Sequence, residues 1–394
     1  MARFLIGWEL CASPDLLIDI ADVALALLHR GHMVRMAVSD PVGLASVVDP
    51  SLRSAILPAP LPPMRPDLIM KPPKEGGFSD KLFAQGFNSP AVLGGLASSW
   101  RTLIDAVAPD AILSIGAPVL AFAARGYKPL LVAGSGESLP PPELETWPRL
   151  HANIAPSQTD DRLVAIAGHV ASVLGAAPVR QPTDILRADR VIVYGMPQID
   201  PYVALRAAPA AGPLRPLPSP VVPAGKPAML AALDVYHPDI ETLVLALTDF
   251  GNTPVHVHIR GMTPPMRSYL TQSPGVVVHE RIDEALNHAG EASFVLHHAT
   301  ARTATMCIGM GVPQALLPFT VEQNAVADML QRFNAGMRLG LGTDPMPAAD
   351  SLAMLFRNID QVQNAQHLAR QVDLRAPGPA MDGIVAAAEG LARP

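Results

Sequence analysis

The sequence predicts an α/β protein built from two tandem Rossmann-like domains with parallel sheets, and three observations carry that expectation. A strand–helix–strand rhythm starts at residue 3, is interrupted by a Pro-rich stretch at 206–227, and restarts at residue 228. A chain of 394 residues is too long for one ordinary domain and suits two. With 49% hydrophobic and only 16% charged residues, it can fill two cores and is not a disordered chain.

The first strand covers 3–8 and is followed by a turn over 9–13. Ser13 can cap the next helix, Pro14 suits its first position and Asp15 lies in its first turn. Leu16, Leu17, Ile20, Val23, Ala24, Leu27 and Leu28 repeat at helical spacing, and Gly31 ends the helix before a strand at 33–38. Such a βαβ unit implies a parallel sheet. A strand at 111–115, a helix at 119–125 and a strand at 129–133 continue the pattern. Residues 57–77 are Pro-rich and read as a long surface loop. Pro209, Pro213, Pro216, Pro218, Pro220, Pro223 and Pro227 make 206–227 a stiff linker. Beyond it come strands at 228–233, 255–259, 276–279, 294–297 and 315–317. Helices are expected at 239–250, 282–289, 303–310 and 323–333. The organisation is therefore 1–205 as the first domain, 206–227 as linker, 228–375 as the second domain and 376–394 as a terminal helical segment.

A net charge of -6 without clustered Lys or Arg excludes a nucleic-acid binder. Two cysteines, Cys11 and Cys307, cannot build a disulfide framework, which suits a cytoplasmic protein. The apolar start is too short and too soon charged for a signal peptide, and no apolar run reaches 18 residues, so no transmembrane helix is expected. His256 and His258 alternate on one strand, with His279, His297 and His298 nearby in sequence. No Cys/His ligand spacing accompanies them, so they read as half-exposed polar positions and no metal is expected. Cys11 reads as a structural thiol.

The second half carries the run His298-Ala299-Thr300-Ala301-Arg302-Thr303, then Gly311-Val312-Pro313-Gln314, Leu317-Pro318, Glu322-Gln323-Asn324 and Ala335-Gly336. It resembles the donor-binding signature of the GT-B-fold glycosyltransferases that use nucleotide sugars, the bacterial UDP-glycosyltransferase and macrolide-glycosyltransferase branch. Their pattern is roughly H-G-G-x-G-T, a helix, G-V-P, a strand ending in Pro, then D/E-Q. Gly7-Trp8-Glu9-Leu10, Arg30-Gly31-His32, Trp100, Pro109-Asp110, Ala117-Pro118, Ala123-Ala124-Arg125 and Gly134-Ser135-Gly136 extend the resemblance over nearly the whole chain.

The resemblance implies two domains facing each other across a cleft, with the last helix, 380–391, returning to the first domain. It implies an enzyme that moves a hexose, with inversion, from a UDP- or dTDP-sugar to a small-molecule hydroxyl, as in natural product glycosylation. His298, Thr300, Arg302 and Thr303 would meet the diphosphate at a helix N-terminus, where N–H groups and the helix dipole favour an anion. Glu322 and Gln323 would hold the sugar hydroxyls, a carboxylate acceptor beside a two-way amide. Trp8 and Trp100 are acceptor-side candidates, with core packing as the other reading. No cofactor is expected beyond the donor as co-substrate.

The departures are specific. The family's glycines are Ala299, Thr300 and Arg302 here; Arg302 either crowds the phosphates or forks onto them. The family's general-base His falls at Leu16, and the Asp that orients it falls at Ile115, followed by Gly116. Asp15 is the candidate substitute base and Glu9 a weaker one. General-base catalysis typically contributes ~10²–10⁴-fold, so its loss need not abolish transfer. Three readings stand: a transferase with a different base, transfer assisted by an acidic acceptor, or a catalytically inactive relative. The last would bind a nucleotide, a sugar, a partner protein or a second copy.

Overall fold

The computed structural model describes residues 1–394 except 10–14, 64–75, 152, 222–227, 252, 341–344, 357, 374–377 and 394. Chain contacts divide it into two compact units. Unit 1 comprises Met1–Pro197, Pro201–Arg215 and Gly378–Pro394; unit 2 comprises Gln198–Asp200 and Pro216–Pro377.

Unit 1 is built on strands β1 (Arg3–Trp8), β2 (Met33–Val38), β3 (Ile56–Pro58), β4 (Ala111–Ile115), β5 (Leu130–Ser135) and β6 (Arg190–Tyr194). All pair in parallel, in the order β3-β2-β1-β4-β5-β6. Its helices are α1 (Asp15–His29), α2 (Pro41–Val47), α3 (Phe78–Leu82), α4 (Pro90–Val107), α5 (Pro118–Ala124) and α6 (Asp160–Leu174). Alternate side chains of each strand point to opposite faces. Leu5, Ile112 and Val132 therefore pack with Trp100, Phe122 and Leu163 under α4, α5 and α6. Phe4, Ile6, Trp8, Leu113 and Ile115 pack with Leu16, Ile20 and Leu27 of α1 on the other face, where Ile384 and Val385 also lie. Of the Pro-rich 57–77 stretch, Leu57 and Pro58 belong to β3 and Gly77 bridges Arg149 in antiparallel fashion, while 64–75 lie outside the described residues.

Unit 2 repeats the plan with β7 (Met229–Asp234), β8 (Val255–Arg260), β9 (Val276–Val278), β10 (Phe294–His297), β11 (Gln314–Leu316) and β12 (Gly336–Arg338). They form a parallel sheet in the order β12-β11-β10-β7-β8-β9. The helices are α7 (Ile240–Leu247), α8 (Pro264–Gln272), α9 (Ile282–Leu286), α10 (Ala301–Met310), α11 (Val321–Arg332), α12 (Pro345–Leu355) and α13 (Ile359–Asp373). Met229, Ala231, Val255 and Val257 pack toward α7 and α12, whereas Leu230 and Val295 pack toward α9 and α10.

The chain closes with α14 (Ala380–Leu391), which belongs to unit 1. Arg30 pairs with Asp382, and the His32 ring bonds Glu389 at 2.9 Å. The described part of the Pro-rich stretch is held at points in both units. Ala211 donates to the Val193 carbonyl in unit 1, and Val221 donates to the Met310 carbonyl in unit 2. The change of unit falls at Arg215/Pro216, and residues 222–227 lie outside the described ones. Among the described residues, no helix is long and apolar enough to cross a membrane.

Candidate functional site

In each sheet the strand order reverses once, between β1 and β4 in unit 1 and between β7 and β10 in unit 2. Open α/β sheets bind ligands beyond the carboxyl ends of their strands at that switch point. Two helices begin at the carboxyl side of neighbouring strands in unit 2: α10 follows β10, and α11 follows β11.

The β10–α10 elbow is held by two histidines. The N–H of Ala299 donates to Nδ1 of His297 (3.1 Å), so the proton of His297 sits on Nε2 and donates to Oε1 of Gln314 (3.0 Å). Burial pushes the His297 imidazole down to about 3, so it is neutral. Ala299, fully buried, adopts φ +58°, the left-handed region that glycine occupies most easily. The family's glycine is thus absent as a residue, but the backbone turn it permits is present. We expect Ala299→Gly to change stability by between zero and about 1.6 kcal/mol, on the stabilising side. Relief of a left-handed Cβ, about 1–2 kcal/mol, outweighs the added unfolded-state freedom, about 0.4–1 kcal/mol. Thermal melting checks this, and a loss comparable to that of a helical Ala→Gly change would contradict it.

His298 is not a phosphate donor. Its Nδ1–H donates to the Leu317 carbonyl (2.8 Å), and its Nε2 accepts the backbone N–H of Asp234 (2.9 Å). A carbonyl can only accept and an N–H can only donate, so the geometry fixes the neutral Nδ1–H tautomer and leaves no ring proton for a ligand. Burial first, and then the neighbouring His237, push it down to about 4, although the Leu317 bond opposes the shift. Its ring stacks on His237, with centroids 5.2 Å apart, and meets the edge of Phe319 at 4.9 Å. His298 is a positioning residue that ties β7, β10 and β11 together.

Thr300 has the extended backbone of an N-cap, φ -70° and ψ 144°, and its side chain caps no backbone N–H. It donates instead to the Thr303 hydroxyl at 3.2 Å. The helix begins at Ala301, two residues before the expected start, because Thr300 already supplies the cap conformation. Arg302 is therefore the second helical residue, half-buried, and Thr303 the third, buried. Glu322 occupies the equivalent second position of α11, half-buried. Gln323 is buried in a capping box: its Oε1 accepts from the N–H groups of Phe319 (2.9 Å) and Thr320 (3.1 Å). The expected two-way amide is thus reduced to its NH₂ end, because the carbonyl is used in capping.

Three residues not anticipated from the sequence complete this end of the sheet. Asp234 ends β7 and pairs in register with Arg260, the last residue of β8. Its Oδ2 accepts from the Arg260 guanidinium, through Nε (2.9 Å) and a shorter bond from the terminal nitrogen, and its Oδ1 accepts the N–H of Tyr236 (2.9 Å). The Arg260 guanidinium thus offsets the charge of this carboxylate. His237, pushed down by burial, accepts the N–H of Asp239 at Nδ1. The available signal was position: all three sit at or just beyond a strand's carboxyl end.

In unit 1 the expected dyad positions are core. Leu16 and Ile115 are 4% and 0% exposed. Gly116 adopts φ +64°, and a Cβ added there would lie 3.0 Å from the Trp8 ring, so no side chain fits without a shift. Trp8 and Trp100 are 2% and 0% exposed, one in each core layer, so their rings pack the interior and do not wall an acceptor pocket. Glu9 is buried, and its two oxygens accept the N–H groups of Val119 and Leu120 at the start of α5, both at 2.8 Å. Those bonds make Glu9 a brace, not an available base. Asp15 begins α1; its side chain, like Cys11 in 10–14, lies outside the described residues.

No family model matches the sequence, and no curated protein matches it. Solved structures do match in fold. The spinosyn rhamnosyltransferase SpnG complexed with thymidine diphosphate superposes with a TM-score of 0.62 at 16% identity, over 99% of this chain and 100% of that one. The glycosyltransferase VinC in complex with dTDP gives 0.62 at 14% identity, over 98% and 100%. The glycosyltransferase SnogD from Streptomyces nogalater gives 0.58 at 16% identity, over 98% and 99%. With its two parallel six-stranded sheets, the chain has the GT-B fold that these proteins share.

Proposed function

We propose that the chain is a glycosyltransferase whose unit 2 binds a nucleoside-diphosphate sugar, of the UDP or dTDP type, and passes the sugar to a small-molecule hydroxyl. The observation that carries this reading is the pair of helix N-termini at the carboxyl ends of β10 and β11. One is entered through the left-handed turn at Ala299 and bears Thr300, Arg302 and Thr303; the other bears Glu322. Peptide N–H groups and a guanidinium suit a diphosphate, and a carboxylate suits sugar hydroxyls. The VinC and SpnG structures that share the fold were solved with dTDP or thymidine diphosphate bound. In the reaction, the acceptor oxygen bonds to the anomeric carbon as its bond to the diphosphate breaks, with inversion. Arg302 and the α10 N-terminus take up the charge of the departing diphosphate. The acceptor's proton goes to a general base, for which Asp15 is the candidate that the sequence offers.

The buried, apolar Leu16 and Ile115 favour a second reading, a GT-B protein that binds nucleotide or a partner without catalysis. Calorimetric titration with UDP, dTDP, GDP and their sugars tests the shared step. We expect micromolar binding to at least one, weakened roughly ten- to hundredfold in Arg302→Ala, the size of a charge-assisted hydrogen bond. No binding to any of them would sink the donor reading. Slow hydrolysis of the bound nucleotide sugar, lost in Glu322→Ala and kept in Leu16→Met, then separates a transferase from a binder.

A further inference from the structure

Unit 2 brings together three histidines from three successive segments of the chain. His256 is on β8, His279 directly follows β9, and His288 follows α9. Each offers one ring nitrogen, and these nitrogens lie within 4.8 Å of one another. Nδ1 of His256 faces Nε2 of His279 at 3.0 Å. The ring of His288 stacks on that of His256, with centroids 3.9 Å apart and planes 13° apart. Its Nδ1 is buried and has no hydrogen-bond partner; the Glu291 carboxylate is 3.6 Å away.

We propose that His256, His279 and His288 form a binding site for a borderline divalent cation of the zinc class, with Glu291 or water as the fourth ligand. Imidazoles bind such ions at about 2.0–2.1 Å in tetrahedral geometry, which places ligand nitrogens roughly 3.3 Å apart. The 3.0 Å pair is already near that spacing, so an ion can replace the proton the two rings share. Bringing His288 in requires its ring to tilt out of the stack on His256. The site also has an outer layer: the His258 ring donates from Nδ1 to the His279 carbonyl at 3.2 Å and so fixes the segment that carries His279. A metal needs its imidazole ligands unprotonated, so the affinity should fall in acid. The trio is distinct from the donor-side residues. His256 lies four residues before Arg260 on β8, about 13 Å along the strand at ~3.3 Å per residue. It lies instead where β8, the edge strand β9 and α9 meet, so a bound ion would clip the edge of the sheet to its covering helix. The sequence hid this site because the spacing follows no local ligand motif, and His288 has no distinguishing neighbour.

The test uses the full chain without an added histidine tag, stripped with a chelator and titrated with ZnCl₂, and with CoCl₂ for its visible absorption. We expect one ion per chain, bound at micromolar concentration or tighter, with a tetrahedral cobalt spectrum and a melting temperature raised by zinc. His279→Ala and His288→Gln should each weaken binding at least a hundredfold, and the exposed His367→Ala should not weaken it. Should a variant fold poorly, zinc should still protect His256, His279 and His288 of the wild-type chain from carbethoxylation, as mapped by mass spectrometry. Binding only in the millimolar range, binding unchanged in both variants, or no protection of the three rings would overturn the proposal.

Discussion

His298→Ala lowers the stability of the nucleotide-free protein by about 2–6 kcal/mol. The substitution removes the acceptor for the Asp234 N–H and the donor for the Leu317 carbonyl. Each buried polar group left without a partner costs about 1–3 kcal/mol. Packing of the ring between His237 and Phe319 is lost as well. Thermal or urea unfolding followed by far-ultraviolet circular dichroism checks the effect with no ligand present. A His298→Ala protein that unfolds like the wild type but binds nucleotide poorly would restore a direct phosphate contact for this residue. The distinction matters for any mutational test of donor binding, because a fall in affinity in this variant would follow from a disturbed elbow.

Glu9→Gln removes a pH dependence from the stability of unit 1. Burial pushes the Glu9 carboxyl from 4.5 up to about 8, partly offset by the N–H groups of Val119 and Leu120. In the unfolded chain it titrates near its ordinary value, so between pH 4.5 and 8 the folded state holds a proton that the unfolded state has released. The contribution is therefore complete below pH 4.5 and is lost as the pH rises toward 8, at up to about 1.4 kcal/mol per pH unit. Gln cannot titrate, and its NH₂ group meets one of the two N–H donors, at a cost of about 1–3 kcal/mol. The gap between wild type and Glu9→Gln should be widest near pH 5 and shrink steadily to pH 8. Buried histidines such as His298 bend both curves in the opposite direction below 6.5 and cancel in the difference. Urea unfolding followed by tryptophan fluorescence reads unit 1 selectively, since Trp8, Trp100 and Trp147, the chain's three tryptophans, all lie there. A constant gap from pH 5 to 8 would mean that Glu9 is ionised throughout.

The sequence was most legible in short, strongly apolar runs bounded by polar or turn residues. β1, β2, β4 and β10 begin and end at the expected residues, and α14 spans Ala380–Leu391. Elements with weaker punctuation escaped. α4 buries Leu93, Leu96, Ala97, Trp100 and Ile104 at helical spacing, but Gly94-Gly95 and Ser98-Ser99 on its outer side mask the period. β6 is a half-buried edge strand that opens with Arg190. The β10–α10 loop was legible as a strand-to-helix elbow, whereas the hydrogen bonds within it were not. A sequence does not show that both nitrogens of His298 are bonded, or that the Gln323 carbonyl is used in a capping box. The Asp234–Arg260 pair and the His256, His279 and His288 group depend on strand register and on tertiary contacts between distant segments. Local pattern carries neither.

The two sheets share one strand order, yet their switch points are finished with opposite chemistry. In unit 1 the helix that follows the switch strand β4 has its leading N–H groups engaged by the chain's own carboxylate, Glu9. In unit 2 the corresponding helix, after β10, carries a guanidinium and hydroxyls at its start and no capping side chain on its backbone. A pseudo-duplicated architecture thus acquires polarity: one copy has its leading N–H groups capped internally by the Glu9 carboxyl and is committed to rigidity, and the other carries a guanidinium and hydroxyls at its equivalent end. Transplanting an acidic side chain to the entrance of α10, as in Thr300→Asp, would make the second copy imitate the first and turn that entrance into a structural joint.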